Sequence, residues 1–322
     1  MRILSGIKPS GDQVHIGNFL GALKQWVARQ DQGEHECLYF IANQHALTSI
    51  RDGDMLRKYT LNIAMQYLAV GLDPEKSLLF VQSDVPYHTE MTWIFNCICP
   101  MGMLERAHAY KDSKAKGKEL NVGVFDYPVL MAVDILIYQP QSVPVGKDQK
   151  QHVEIARDLA EKFNHIYGDT FVLPQAHTPT EVASVIGLDG RKMSKSYGNT
   201  IGLFEDEKII LKKVKSIQTD SKGLEEPKDP DTCNVFSLLK HFAPADVLAE
   251  TSQKYRAGGF GYGHAKMLLF EVLMDYFKDI RKRHDDLQAN PDYVRSILAT
   301  GAEKANVLAY ETMKDVRQKV GY

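Results

Sequence analysis

The order of hydrophobic and polar positions changes near residue 203. Before it, three short apolar runs, Arg2-Ile-Leu, Cys37-Leu-Tyr-Phe-Ile-Ala and Leu78-Leu-Phe-Val, predict strands, and helical periodicity begins near Gly17 and again runs from Leu56 to Leu68. Near-continuous apolar strands joined by helices are typical of a parallel sheet buried on both faces. We therefore predict an α/β fold, with a doubly wound, Rossmann-like parallel sheet.

Beyond residue 203 the strand pattern ends and helical spacing continues. Apolar residues from Leu269 to Ile280 recur at the i, i+3, i+4 positions of a helix, and the charge-rich stretch from Ala302 to Val320 is also helical in pattern. We predict a Rossmann-like catalytic domain over residues 1–203, which includes a loop at 191–199, and an all-helical domain over 204–322. The last helix is a candidate for packing back on the first domain.

Composition narrows the class of protein. The chain has 322 residues, 44% hydrophobic and 25% charged, with a net charge of −2, so a nucleic acid would have to bind local basic patches. No apolar run approaches the roughly 18 residues that span a bilayer, and we expect a cytoplasmic protein without membrane contact. The four cysteines are scattered and lack the spacing of a ligand set, so neither a zinc site nor an iron–sulfur cluster is predicted.

The first candidate motif runs from Pro9 to Asn18, between the first predicted strand and helix. In a doubly wound sheet this turn is where a phosphate or nucleotide docks on helix N-terminal amides. Gly17 would let the backbone approach a base closely, and His15 and Asn18 can hydrogen-bond to phosphate or ribose. The alternative is a plain strand-to-helix turn with an N-cap.

The second candidate motif is the stretch from Gly190 to Asn199, where Lys192 and Lys195 lie between glycines without an apolar period. Two ammonium groups on a mobile loop can close over a polyphosphate and offset charge that develops in a transition state. The alternative is a solvated basic loop.

A third candidate is Asp134, a lone carboxylate in the apolar run from Val129 to Ile137. An unpaired charge there is costly, so this carboxylate needs a donor. Pairing with a neighbouring lysine or a helix cap is the alternative to a ligand-binding role.

Together the motifs resemble a known family. His15-Ile-Gly-Asn18 and Lys192-Met-Ser-Lys-Ser196 resemble the two signatures of class I aminoacyl-tRNA synthetases. Five further stretches resemble bacterial-type tryptophanyl-tRNA synthetases: Ser5–Gly11, Asn43–Thr48, Tyr127–Leu136, Val143–His152 and Gly301–Ala305. The resemblance implies a homodimer that activates L-tryptophan with ATP and Mg²⁺, and then transfers it to tRNA(Trp).

The resemblance also implies roles for individual residues. Catalytic roles fall to Lys192, Lys195, His15 and Lys111. ATP would bind at Lys8, Ser10, His15, Gly17, Asn18, Gly146, Asp148, Lys192, Met193, Ser194 and Lys195. Tryptophan would bind at Leu4, Gly6, His45, Met131, Asp134, Val143, Val145 and Gln149, with Asp134 accepting the indole N–H. No residue is predicted to bind a metal.

The chain departs from the family pattern at three positions. Lys8 stands where many relatives have glutamine, Lys147 replaces a common glutamate, and Ser113 stands where a second lysine is expected after Lys111. Lys8 adds a positive charge near the expected ATP and amino-acid sites, and Ser113 weakens the expected phosphate contact of its loop.

Contacts with tRNA are expected in the helical domain. The candidates for phosphate contacts and anticodon stacking are Lys212, Lys213 and Lys215, and Arg281, Lys282 and Arg283 beside Tyr276 and Phe277. A solvated charged face is the alternative for either patch. Two other functions stay open: a tyrosyl-tRNA synthetase, which would need polar partners for a phenol, and a catalytically silent paralogue that binds tryptophan or tRNA.

Overall fold

A parallel sheet forms the centre of the N-terminal part of the molecule. The structure, a computed structural model, describes residues 1–11, 13–115, 117, 120–146, 149–177 and 185–322. Its described strands are β1 (Arg2–Ile7), β2 (Glu36–Ile41), β3 (Ser77–Val81), β4 (Ser142–Pro144) and β5 (Gln175–His177). They pair in parallel in the order β3-β2-β1-β4-β5, which confirms the predicted doubly wound sheet. The strand order reverses between β1 and β4, where such sheets bind ligands beyond the carboxyl ends of the strands.

Helices connect and cover these strands. Those before residue 203 are α1 (Ile16–Asn18), α2 (Lys24–Gln32), α3 (Asn43–Ala46), α4 (Gly53–Ala69), α5 (Tyr87–Ile98), α6 (Met101–Arg106), α7 (His108–Ala115), α8 (Val122–Leu136) and α9 (Lys150–Tyr167), with a π-helical segment at Phe19–Leu23 joining α1 to α2. After it come α10 (Glu207–Lys215), α11 (Asn234–Leu239), α12 (Ala245–Ala257), α13 (Tyr262–Ala289) and α14 (Pro291–Val320). None of the helices in the described ranges is long and apolar enough to cross a membrane.

The two faces of the sheet are buried in separate hydrophobic clusters. Tyr39 and Ile41 of β2 pack in one cluster with residues of α2, α4 and α13. Leu38 and Phe40 point the other way and pack with α5, α8, α9 and α14. Alternate residues of one strand thus enter different clusters, which explains why β2 is a continuous apolar run.

The last helix lies against the edge strand of the sheet. A Cβ atom on Gly301 of α14 would lie 1.8 Å from the carbonyl oxygen of Leu79 in β3, so only glycine permits this approach. Further along α14, Arg317 pairs with Glu90 of α5 through two hydrogen bonds of 2.7 and 2.6 Å. The C-terminus of the chain is therefore fastened to the sheet and to α5.

Candidate active site

The first motif lies at the turn from β1 into α1, and two of its polar residues cap each other. His15 Nδ1 accepts the backbone N–H of Asn18 at 3.3 Å, and Asn18 Oδ1 accepts the backbone N–H of His15 at 3.2 Å. The N-cap considered from the sequence is therefore present. Because Nδ1 is an acceptor, a neutral His15 ring carries its proton on Nε2.

The protonation of His15 is set by burial and by two lysines. Burial, followed by the positive charges of Lys195 and Lys213, lowers the pKa of His15 from 6.5 to about 4. The ring is consequently neutral near pH 7. It can offer an N–H to a phosphate oxygen but adds no charge.

The two motifs lie against each other. The backbone segments 14–16 and 201–203 exchange hydrogen bonds, from Ile16 N–H to the oxygen of Ile201 at 3.0 Å and from Leu203 N–H to that of Val14 at 3.2 Å. This pairing sets the residues just after the lysine loop beside α1.

Small residues of the first motif leave room for the loop. A Cβ atom on Gly17 would lie 3.5 Å from Cβ of Met193, and one on Gly11 would lie 3.1 Å from Nζ of Lys195. The two motifs, which are far apart in the sequence, therefore form one site at the carboxyl end of β1.

The lysine loop at 191–199 has an internal framework. Asn199 is buried, its Oδ1 accepts the backbone N–H of Ser194 at 2.8 Å, and its Nδ2 donates to Asp189 Oδ1 at 2.7 Å and to the oxygen of Lys192 at 3.2 Å. The side chains of Lys192 and Lys195 are exposed on this framework. The backbone that presents them is thus braced by hydrogen bonds, which the sequence, with no apolar period in this stretch, did not indicate.

Asp134 of α8 is only 1% exposed and receives donors from separate parts of the fold. His45 Nε2 lies 2.7 Å from Oδ2, whereas Gln82 Nε2 and His88 Nδ1 lie 2.7 and 2.6 Å from Oδ1. Burial alone would raise the pKa of Asp134, but the adjacent His45 and His88 outweigh it and lower the pKa to about 2. The site therefore holds an ionised, acceptor-only carboxylate within an apolar region.

Apolar residues expected around the amino acid pack together on one side of the sheet. Leu4 in β1, Val143 in β4, Val145 just after β4 and Met131 on α8 belong to one hydrophobic cluster. These four residues form an apolar wall. Gly6 of β1 also belongs to it, because a Cβ atom there would lie 2.6 Å from the ring of Phe40, which packs in the same cluster. Five of the residues expected around the amino acid thus lie on the same side of the sheet.

Lys8 connects the segment after β1 to the segment that carries His45. Its Nζ donates to Oγ1 of Thr48 at 2.9 Å, and that hydroxyl donates to the backbone oxygen of His45 at 2.8 Å. The lysine that departs from the family pattern is therefore attached to the segment that carries a partner of Asp134.

Comparison with known proteins identifies the family. A family model described as tRNA synthetases class I (W and Y) matches residues 1–278. The chain belongs to this family of class I tRNA synthetases. Tryptophan–tRNA ligases of Campylobacter jejuni and Fusobacterium nucleatum are 48% and 50% identical over 321 residues, which span 100% of both chains in the first case and 99% and 98% in the second.

Solved structures agree. The crystal structure of the Campylobacter jejuni tryptophanyl-tRNA synthetase complexed with ADP and tryptophan superposes on this chain with a TM-score of 0.95 and 48% identity, covering 100% of both chains. The crystal structure of the tryptophanyl-tRNA synthetase of Mycoplasma pneumoniae superposes with a TM-score of 0.83 at 30% sequence identity, covering 100% of this chain and 97% of the other. These matches confirm the resemblance inferred from the motifs.

Other expected site residues of the synthetase lie on a neighbouring helix and in nearby turns. Lys111 is exposed on α7, and no hydrogen bond or ion pair between described residues connects it to His15 or to the lysine loop. Ser10 and Gly146 are exposed in the turns after β1 and β4, and Gln149 precedes α9, with its N–H donating to the oxygen of Gly146 at 2.9 Å. Lys147 and Asp148 lie outside the described residues.

In the second basic patch considered for tRNA, the stacking role expected of Phe277 is wrong, and two of the arginines already bind backbone oxygens. Phe277 is 2% exposed in the core and cannot stack on a base. Arg281 donates to the carbonyl oxygens of Leu203 and Glu205 at 2.7 and 2.9 Å, and Arg283 donates to the last carbonyl of α4 at 2.8 Å. These arginines of the synthetase fasten α13 to the segment after the lysine loop and to α4.

Sequence reasoning missed the residues that support the site. Gln82 and His88 bind Asp134, His88 Nε2 lies 2.8 Å from the hydroxyl of Tyr138, and Asn199 holds the lysine loop. No periodicity marks these positions, because a buried polar residue is recognised only from the partners that the fold brings to it.

Proposed function

We propose that this class I synthetase is a tryptophan–tRNA ligase that joins L-tryptophan to tRNA(Trp) with ATP. The observation that carries the proposal is the ionised carboxylate of Asp134, which is buried on α8 three residues after Met131 of the apolar wall. Indole offers one N–H donor and no acceptor, which matches an acceptor-only carboxylate. The full-length relatives named as tryptophan–tRNA ligases, one of them crystallised with ADP and tryptophan, support this choice.

In the first step the carboxylate of tryptophan attacks the α-phosphorus of ATP in line. A bond forms between a carboxylate oxygen and this phosphorus, and the bond to the bridging oxygen breaks as pyrophosphate leaves. The step uses no protein nucleophile. His15, Asn18, Lys192 and Lys195 orient the polyphosphate and offset its charge, so catalysis consists of positioning and electrostatics.

ATP enters as its magnesium complex. Magnesium keeps several waters and is held largely by substrate phosphates in such sites. Among the described residues, no group of three or more His, Cys, Asp or Glu side chains is arranged to hold a metal. Lys8 adds a fixed positive charge next to the site proposed for ATP.

In the second step the terminal ribose hydroxyl of tRNA attacks the carbonyl carbon of tryptophanyl-adenylate, and AMP leaves. The helical part binds the tRNA, and the exposed Lys212 and Lys215 on the last turn of α10, with Lys282 on α13, contact its phosphates. Lys213 forms an ion pair with Glu205 and is therefore less available to a tRNA phosphate. The reaction serves translation in the cytoplasm.

The active form is a homodimer. Three large apolar side chains are exposed on neighbouring helices, of which α8 contacts both α5 and α6: Trp93 of α5 (69%), Met101 of α6 (64%) and Val122 of α8 (79%). Exposed apolar groups at such a density favour burial against another protein surface. A second copy of the chain is the partner that family resemblance implies.

Amino-acid-dependent ATP–pyrophosphate exchange tests the first step. We expect the purified protein to catalyse exchange with tryptophan but not with tyrosine or phenylalanine. Exchange with tyrosine would replace the proposal by a tyrosyl-tRNA synthetase. Binding of tryptophan without any exchange would instead identify a catalytically silent paralogue.

A further inference from the structure

The carboxylate of Asp134 is supported from the core by residues with no expected contact to substrate. His88, in the first turn of α5, is 0% exposed, and so are Gln82 and Tyr138. His45, the partner on the other carboxylate oxygen, is 11% exposed at its side chain. Oδ1 thus faces fully buried protein donors, whereas the partner of Oδ2, His45, is the least buried of the three.

The hydrogen bonds through His88 have one consistent direction. The ionised Asp134 can only accept, so His88 Nδ1 must donate to Oδ1 across the 2.6 Å contact. In a neutral ring Nε2 is then an acceptor, and the hydroxyl of Tyr138, 2.8 Å away, donates to it. Burial and the charge of Asp134 raise the pKa of Tyr138 well above its usual range, so this phenol keeps its proton.

Aromatic rings pack beside His88 and beside its partner Tyr138. Phe40 lies 6.5 Å from the His88 ring and Phe80 lies 5.4 Å from that of Tyr138, between ring centroids. The helix that carries His88 is fastened to α14 through the paired Glu90 and Arg317. A group held this firmly is suited to positioning another side chain, as supporting residues do around functional groups.

We propose that His88, oriented by Tyr138, is a positioning residue that occupies Oδ1 of Asp134 and thereby directs Oδ2 toward the indole N–H of the substrate. This inference rests on the proposed activation of tryptophan. With Gln82 and His88 on Oδ1, the carboxylate cannot rotate without losing both donors. His88 therefore determines how strongly the enzyme prefers a ligand with an N–H at this position, without touching the ligand itself.

Three variants separate this role from general stability. His88→Leu removes both ring nitrogens. His88→Asn keeps an amide N–H near the position of Nδ1, and Tyr138→Phe removes only the hydroxyl. Tyr255→Phe is the matched control, because it deletes another fully buried phenol hydroxyl, one that contacts Cys233 at 3.4 Å in the helical part.

The measurement compares two substrates in ATP–pyrophosphate exchange: tryptophan, and β-(3-benzothienyl)alanine, in which sulfur replaces the indole N–H. Discrimination built on a substrate hydrogen bond can be large. We expect His88→Leu to raise the KM for tryptophan about 10-fold or more, to leave the KM for the analogue and for ATP nearly unchanged, and so to reduce the preference for tryptophan. His88→Asn should restore most of the preference, and Tyr138→Phe should lower it partly.

Other results contradict the proposal. Equal losses for both substrates, or an unchanged preference in a folded His88→Leu, would reduce His88 to a structural residue. If His88→Leu fails to fold, Tyr138→Phe is compared with Tyr255→Phe. The proposal is contradicted if both variants change the preference for tryptophan over the analogue, or if neither does. A wild-type protein inactive with tryptophan would overturn the proposed function instead, so the two failures are distinguishable.

Discussion

Asn199 offers the sharpest test of the link between loop structure and catalysis. Replacing it with alanine removes its hydrogen bonds to Ser194 N–H, to the oxygen of Lys192 and to Asp189. Each contributes about 0.5–1.5 kcal/mol net, which gives a total of roughly 1.5–4.5 kcal/mol. The lysines of the loop would then have to be ordered by the nucleotide itself.

We expect Asn199→Ala to lower kcat/KM for ATP about 10- to 100-fold, which corresponds to the lower half of that free-energy range because water replaces some of the lost contacts. The KM for tryptophan should change little, since Asn199 lies in the loop and not in the apolar wall. The assay is ATP–pyrophosphate exchange at saturating tryptophan, with thermal unfolding measured alongside.

Asn164→Ala is the matched control. The side chain of Asn164, on α9, also makes three hydrogen bonds: it accepts the backbone N–H groups of Thr170 and Phe171 at 3.0 and 2.9 Å, and it donates to the oxygen of Phe171 at 2.9 Å. Both variants should lose thermal stability, but only Asn199→Ala should lose kcat/KM for ATP. Equal kinetic effects, or none in Asn199→Ala, would refute the idea that this framework positions the lysines.

Three further predictions concern other parts of the molecule. Lys195→Ala should lower adenylate formation about 100-fold or more while tryptophan binding stays nearly intact, with Lys208→Ala on α10 as an unaffected exposed control in a rapid-quench assay. Trp93→Glu should convert the dimer to a monomer in light scattering, and a persisting dimer would locate the interface elsewhere. Asp134→Asn should lower the free energy of urea unfolding above pH 4 but not near pH 2. The reason is that folding lowers the pKa of this carboxylate from 3.8 to about 2. Its contribution to stability is therefore fully present above pH 3.8 and is lost as the pH falls through 2. A difference independent of pH would contradict the lowered pKa.

The sheet was largely predictable because its central strands are buried on both faces. Such strands leave continuous apolar runs, as in β2 and β3, whereas β4 and β5 have only three residues each and leave no comparable pattern. The motif containing His15 was predictable for another reason, since its glycines and polar residues fall at a strand-to-helix turn. The N-cap and the phosphate-binding interpretation were not exclusive, because His15 caps α1 with Nδ1 and keeps Nε2–H as a donor.

The supporting residues were not predictable from local pattern. His88 follows Pro86 and Tyr87 without any periodic signal, and its meaning depends on Asp134 and Tyr138, both far along the chain. Phe277 was misjudged for the opposite reason. It belongs to the apolar stripe of α13, and the stripe itself indicated burial and not base stacking.

Aminoacylation of tRNA(Trp) tests the central claim most directly. The purified protein is incubated with ATP, Mg²⁺, labelled tryptophan and a tRNA(Trp) transcript, and in parallel with labelled tyrosine and a tRNA(Tyr) transcript. The account predicts acid-precipitable tryptophanyl-tRNA in the first reaction and none in the second, and loss of the product in Lys195→Ala. Charging of tRNA(Tyr) with tyrosine, or no charging despite tryptophan binding, would contradict it.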